Sequence, residues 1–265
     1  ARRQRQMCIR DRGNNKESIL FIHPLGADNS VFDYVISKLK NKFNCFSVDI
    51  RGHGKSPITE PGFSIKEMAK DISYTFNFDN PVNVMGVSIG GMIAMNLAIY
   101  KLIPIDNLIL SDTGHKIGDF DLWQQRIDLV NSGGLNKIVD MALERWFPKN
   151  FRDTASDVIE DCKKLQLKTS MKGYIGACQA IQNEDLTGKL SLINQRTLVV
   201  NGSEDISTPP KLGQELANRI SGASFKELKG IGHVPPLQDP DLTAKIIQDF
   251  ISVSYTHLTL PTSVI

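Results

Sequence analysis

The chain has 265 residues, 41% of them hydrophobic, and a formal net charge of +2. That length and apolar content suit one α/β domain with room for an insertion, and no apolar run approaches the roughly 20 residues of a membrane-spanning helix. The positive sign comes from residues 1–12, which hold five Arg and one Asp, a net +4; residues 13–252 therefore carry −2, which excludes nucleic acid and acidic membrane surfaces as implied partners.

The basic arm has a counterpart at the other end. Residues 7–11 can be encoded by ATG TGT ATA AGA GAC, whose reverse complement reads in frame as Val-Ser-Tyr-Thr-His, the sequence of residues 253–257. The two ends read as one stretch of DNA translated from opposite strands, as a sequencing adapter would be. Residues 1–12 and 253–265 are therefore set aside as non-native; codons that break the inverted repeat would sink this reading.

Ser18 to His23 is a short apolar strand, followed by the loop Pro24-Leu25-Gly26-Ala27. Asp28 or Asn29 can cap a helix to about Lys40, with Val31, Phe32, Val35, Ile36 and Leu39 on one face. Asn44 to Asp49 is the next strand, and Arg51 to Pro57 a turn-rich loop. Ser64 and Glu67 form a capping box for a helix to about Phe76. Val82 to Val87 is a strand, Ile89 to Tyr100 a helix and Asp106 to Ser111 a strand. From about Gly114 to Lys189 only helical, amphipathic patterns are visible. Strands resume at Arg196–Asn201 and Ser224–Leu228, with helices at Pro210–Ile220 and Pro240–Ile251. Alternating strands and helices indicate a mainly parallel sheet with helices on both faces. Residues 13–113 and 190–252 read as the α/β core and 114–189 as an inserted helical cap. Outside the arm the cysteines are Cys45, Cys162 and Cys178, an odd set without metal spacing, which reads as reduced thiols in a cytoplasmic protein.

Gly86-Val87-Ser88-Ile89-Gly90 lies between a strand and a helix. A serine there sits on a sharp strained turn, and glycines two residues to either side avoid collisions with the neighbouring strand and helix. A nucleophilic serine needs a base, and the base an orienting carboxylate. His233 follows the last strand and Asp205 follows the strand before it, so Ser88, Asp205 and His233 all fall at strand C-terminal ends, where open α/β sheets bind ligands. Asp112 ends the strand before the helical block and is the alternative acid; Glu204 reads as solvated. His23 and His53 read as loop-bracing, and His115, at the cap hinge, either lines the pocket or is only solvated. Backbone N–H groups of Leu25 and Ile89 are the expected donors to an oxyanion.

Several stretches together resemble the 3-oxoadipate enol-lactonase family of α/β-hydrolases: HPLGADNSVFDYV (23–35), DIRGHGKSP (49–57), GVSIGGMIAMNLA (86–98), LILSDTGHKIG (108–118), LERWFPKNFR (143–152), GYIGACQAIQNEDL (173–186), TLVVNGSEDISTPP (197–210) and GIGHVPPLQDP (230–240). The resemblance implies the α/β-hydrolase fold, Ser88 as nucleophile, Asp205 as acid and His233 as base, with Leu25 and Ile89 at the oxyanion. It implies opening of an enol-lactone to a keto-dicarboxylate in aromatic-compound breakdown, a small ester or lactone as partner, and no metal or organic cofactor. The substrate's free carboxylate calls for a cationic or polar anchor; Arg145 and Trp146 are the candidates, with Trp123 and Arg126 behind them. A general carboxylesterase, a C–C bond hydrolase and a non-catalytic ligand-binding protein of the same fold are the alternatives. The sequence departs from the family at Ile89, where Met is common, at Gln238-Asp239-Pro240, where Glu often precedes x-Pro, and at Asp112, where Asn is common. The family also begins with a β-hairpin before the Ser18 strand. With residues 1–12 set aside, one sheet edge is expected to lack its cover and solubility to suffer.

Overall fold

A computed structural model describes residues 9–12, 17–58 and 62–256, with backbone alone for 9–12 and 253–256. The strands are β1 Ile9–Arg12, β2 Ser18–Ile22, β3 Asn44–Val48, β4 Val82–Val87, β5 Ile105–Ser111, β6 Arg196–Gly202 and β7 Ser224–Leu228. They form one sheet in the order β1-β3-β2-β4-β5-β6-β7. β1 runs antiparallel to β3, and every other pairing is parallel. A parallel sheet is covered on both faces, so its strands are continuous apolar runs instead of alternating ones. β2 and β4 show this, with Ile19 to Ile22 and all six residues of β4 buried.

The helices are α1 Asp33–Leu39, α2 Ile65–Thr75, α3 Ile89–Ile99, α4 Phe120–Gly133, α5 Val139–Trp146, α6 Lys149–Thr154, α7 Ser156–Lys168, α8 Met171–Gln182, α9 Pro210–Arg219, α10 Pro235–Gln238 and α11 Pro240–Thr256. On one sheet face α2 and α3 pack together; on the other lie α1 and α11. α3 is buried along its whole length, so it is apolar all round. α2 is amphipathic, and its N-terminus carries the Ser64–Glu67 capping box in both directions. Between β5 and β6 the chain is helical, with α4 and α8 packed on each other.

Two expectations change. The helix expected from residue 28 or 29 to 40 starts with a 3-10 turn, Asn29–Phe32, and only then becomes α1; Asp28 is the cap, accepting from Ser30 N–H. The edge of β3, expected to be bare, is paired by β1. Main-chain pairing needs only an extended segment within reach, whatever its side chains. The rest of the two adapter-like ends lies outside the described residues, apart from the backbone at the end of α11. Among the described residues no helix is long and apolar enough to cross a membrane. Burial pushes the thiols of Cys162 and Cys178 up to about 12, leaving them poor nucleophiles.

Candidate active site

Ser88 joins β4 to α3 with φ 56 and ψ −121, a conformation L-residues rarely adopt. The turn is tight enough that its glycines have no room for a side chain. A Cβ on Gly86 would overlap the Gly90 carbonyl, and one on Gly90 would lie 2.7 Å from the Ile22 carbonyl carbon and 2.9 Å from His23 O. The strained backbone is held at both ends: Ser88 N–H donates to Ser111 O at 3.0 Å, and the Thr113 hydroxyl donates to Ser88 O at 2.7 Å. Ile89 opens α3, so its N–H is one of the four the helix cannot satisfy itself.

The loop carrying Leu25 faces this turn. His23 braces it: Nδ1 donates to Pro24 O at 2.8 Å and Nε2 accepts from Ile50 N–H at 3.0 Å. That pair of bonds requires the neutral tautomer with hydrogen on Nδ1, in keeping with burial lowering the pKa of His23. His53 sits 5.5 Å from His23, ring to ring, and burial with His23 beside it takes its pKa down to about 3. Neither histidine takes up a proton near neutrality.

His233 follows β7. Its Nδ1 lies 2.9 Å from Asp205 Oδ2, and its N–H donates to the Trp146 carbonyl at 2.8 Å. Asp205 Oδ1 accepts the N–H groups of Ser207 and Thr208 at 2.7 and 3.0 Å, and Oδ2 accepts the Thr208 hydroxyl at 2.6 Å. Burial alone would raise the Asp205 carboxyl, but the His233 ring and the Thr208 donors outweigh it and hold it below the ordinary value. An acceptor there fixes hydrogen on His233 Nδ1 and leaves Nε2 as the basic nitrogen. Glu204, the neighbouring acid, is exposed.

Ser88 and His233 line one cavity of about 680 Å³, including its open mouth, together with Leu25, Trp123, Arg126, Arg145 and Trp146. All four side chains expected at the substrate anchor thus reach the cavity that holds the serine. Arg145 donates to Ile206 O at 3.1 Å; burial and the charge of Arg126 lower its pKa. Arg126 lies over the Trp123 ring at 5.4 Å, and its charge acts on the buried Tyr174 hydroxyl. His115 is away from the cavity lining and instead ties the two crossings into the helical block, its carbonyl accepting Leu186 N–H at 2.9 Å.

Sequence reasoning missed three contributors. Gln238 clamps the loop before His233, accepting from Gly232 N–H and donating to Gly230 O, both at 2.8 Å. Its place among the departures from the family was the only signal. Thr208 bonds both partners of the Asp205–His233 pair, and three residues after an acid is a turn spacing that could have flagged it. Gln166 lines the cavity with a buried Nε2 that has no partner. Oxygen and nitrogen atoms of Asp112, Asp205 and His233 also gather within 4.8 Å, as a metal site would require. Hydrogen-bond donors crowd these oxygens, however: Asp112 accepts from Gly202 N–H and the Ser111 hydroxyl, and Asp205 from the donors above.

The chain resembles known hydrolases along most of its length. It is 27% identical over 239 residues to 3-oxoadipate enol-lactonase 1 of Acinetobacter baylyi, covering 89% of each chain. It is 25% identical over 254 residues to a pimeloyl-[acyl-carrier protein] methyl ester esterase of Neisseria meningitidis, covering 89% of this chain and 77% of that one. Among solved structures, the enol-lactonase from Burkholderia xenovorans superimposes with a TM-score of 0.89 at 27% identity, covering 93% of this chain and 96% of that one. The alpha/beta hydrolase fold family matches residues 17–240. With a strained serine between β4 and α3 and a buried histidine–carboxylate pair beyond the last strands, the chain is a member of the alpha/beta hydrolase fold family.

Proposed function

We propose that the protein is a serine hydrolase that opens an enol-lactone bearing a free carboxylate, 3-oxoadipate enol-lactone being the reference compound, to the keto-dicarboxylate in aromatic-compound breakdown. The observation that carries this reading is one cavity shared by Ser88, His233 and two guanidinium groups, Arg126 and Arg145. Ser88 Oγ attacks the ring carbonyl while His233 Nε2 takes its proton, and Asp205 stabilises the imidazolium. The N–H groups of Leu25 and Ile89 receive the oxyanion. Ring opening leaves the departing enolate tethered in the acyl-enzyme, and the His233 imidazolium returns its proton to it; water deprotonated by the neutral His233 then attacks the acyl carbonyl and releases the acid and Ser88. Helices α4 to α8 act as the cap that selects the substrate, with Arg145 and Arg126 meeting its carboxylate and Trp123 and Trp146 flanking the ring.

The test is a rate comparison on the enol-lactone and a p-nitrophenyl ester. A kcat/KM for the lactone well above that for the ester supports the reading, and the reverse order makes the protein a general carboxylesterase. Arg145→Ala should raise KM for the lactone by about tenfold or more, the loss of one charge-assisted hydrogen bond, with the neutral ester little affected. An unchanged lactone KM removes Arg145 from the anchor. Labelling of Ser88 by an organophosphonate separates a catalytic protein from a non-catalytic binder of the same fold.

A further inference from the structure

The turn Ser111-Asp112-Thr113 ends β5 and touches both halves of the site. Ser111 and Thr113 hold the backbone of Ser88, as described. Between them, Asp112 N–H donates to Val200 O at 2.8 Å, and Asp112 Oδ1 accepts Gly202 N–H at 2.8 Å, just ahead of Asp205. Oδ2 accepts the Ser111 hydroxyl at 2.6 Å. Asp112 is fully buried and held at φ 48, a left-handed conformation that persists only where surrounding contacts enforce it. Its carboxyl lies beside that of Asp205, with an oxygen of each within 4.8 Å of the other.

Two buried carboxyl groups in contact cannot both be ionised without a cation between them, so one proton is shared by the pair. The donors decide where it sits. Asp205 faces the His233 ring, two backbone N–H groups and the Thr208 hydroxyl, which all favour its anion. Asp112 faces one N–H and one hydroxyl. Burial, then the charge of Asp205, pushes the Asp112 carboxyl well above its ordinary value.

We infer that Asp112 is a positioning residue of this site: its carboxyl O–H donates a hydrogen bond to Asp205 and completes a chain, Ser111–Asp112–Asp205–His233, that locks the orienting carboxylate to the strand holding the nucleophile. The inference rests on the catalytic reading of Ser88, Asp205 and His233. The proton has a consequence in alkali. Once it is lost, Asp112 becomes a second buried anion against Asp205 and the donor disappears. The charged group beside Asp112 is Asp205 from the loop after β6, with His233 from the loop after β7 in the same cluster; Arg145 from α5 acts on Asp205; β4 contributes no charged side chain. Loss of the proton should therefore slow acyl transfer on the alkaline side, with kcat falling and KM for a neutral ester unchanged.

The experiment measures kcat and KM against pH on a p-nitrophenyl ester for the parent, Asp112→Asn and Asp112→Ala. The amide of Asn donates to Asp205 at every pH, at the cost of the acceptor used by the Ser111 hydroxyl. Asp112→Ala should lower kcat by about 10- to 100-fold, the loss of a hydrogen bond to a charged group. Asp112→Asn should recover most of that and lack the parent's alkaline descent in kcat. A profile for Asp112→Asn that superimposes on the parent's, descent included, overturns the inference. A readout independent of turnover is the infrared C=O stretch of a protonated carboxyl in the folded protein at neutral pH. It should be present in the parent and absent from Asp112→Asn; its absence from the parent, or its persistence in the variant, also overturns the inference. Ser88→Ala keeps the two readings apart. Should that variant still turn over the ester, the catalytic reading fails, while the infrared band still reports on Asp112.

Discussion

Gly90 lies where the Ser88 turn, the first turn of α3 and the end of β2 meet, and replacing it by Ala tests the coupling between packing and the proposed chemistry. The added Cβ would lie 2.7 Å from the Ile22 carbonyl carbon and 2.9 Å from His23 O, and closer still to Ile22 O. These neighbours are backbone and cannot rotate aside. α3 is buried at all eleven positions, so moving it would open contacts on every side. The softer element is the chain from Ile22 into the Leu25 loop, which would be displaced outward. Overpacking of this kind costs about 1–3 kcal/mol. A displacement of about 1 Å in a positioned catalytic group costs about 10²-fold in rate, and loss of one oxyanion donor about 10²–10³-fold. Gly90→Ala should therefore lower the urea midpoint by that free energy at unchanged m. It should also lower kcat on a p-nitrophenyl ester by about 10²-fold with KM little changed, as for a group that acts in the transition state. Gly188→Ala is the control: its Cβ meets nothing within 4 Å, and its stability should stay within about 0.5 kcal/mol of the parent. A Gly90→Ala protein within about 0.5 kcal/mol of the parent, with kcat within about threefold, would refute the idea that this contact sets the Leu25 loop.

Thr208→Val removes the hydroxyl at 2.6 Å from Asp205 Oδ2 and should lower kcat about tenfold at constant KM, as one hydrogen bond to a charged group is lost. Asp71→Ala breaks a buried, two-pronged pair with Arg51, Nε–Oδ2 2.6 Å and Nη2–Oδ1 2.8 Å, and should cost about 3–5 kcal/mol in a urea melt by leaving a guanidinium buried. Asp112→Asn should change how stability depends on pH. The native Asp112 carboxyl is raised, so its contribution is fully present below the ordinary carboxyl range and is lost as pH rises through that range toward the native value. The slope is about 1.4 kcal/mol per pH unit. The variant lacks it, so its urea midpoint should gain on the parent's between about pH 4 and pH 7; parallel midpoints would show that Asp112 is ionised in the fold.

The parts of the site legible in the sequence are those whose geometry restricts the residue type. A strained serine flanked by a helix carbonyl and a strand end leaves room only for glycine at positions 86 and 90, so the turn announces itself. Asp205 and His233 are legible because apolar runs locate the ends of β6 and β7, and the ends of parallel strands are where side chains converge. The fold follows from the same runs, since a sheet buried on both faces permits little else. What was not legible lacks such a signature. The Trp146 carbonyl that holds His233 belongs to a group every residue has. The clamp by Gln238 spans two different backbone atoms, and nothing in its neighbours specifies it. Asp112 was visible as a rival to Asp205, but its real relation, 90 residues from the Gly202 amide it accepts, exists only once β5 and β6 lie side by side.

Asp112 also bears on what the cavity can bind. Arg126 and Arg145 face the cavity, and with Asp112 protonated Asp205 is the one anion of the carboxyl pair. Two cations then face one anion, as the proposed carboxylate-bearing substrate requires. An ionised Asp112 would add a second anion beneath His233. Two unit charges interact by about 4 kcal/mol at 4 Å at an effective dielectric of about 20, falling inversely with distance. Even attenuated by the greater distance to the arginines, that charge would oppose the approach of an anion. The proton between the two carboxyls therefore does two things at once. It holds Asp205 in line with the imidazole, and it keeps the cations above Ser88 available to the substrate instead of matched from below. A carboxylate at position 112 is compatible with this site only in its neutral form, which is the form that burial away from water enforces.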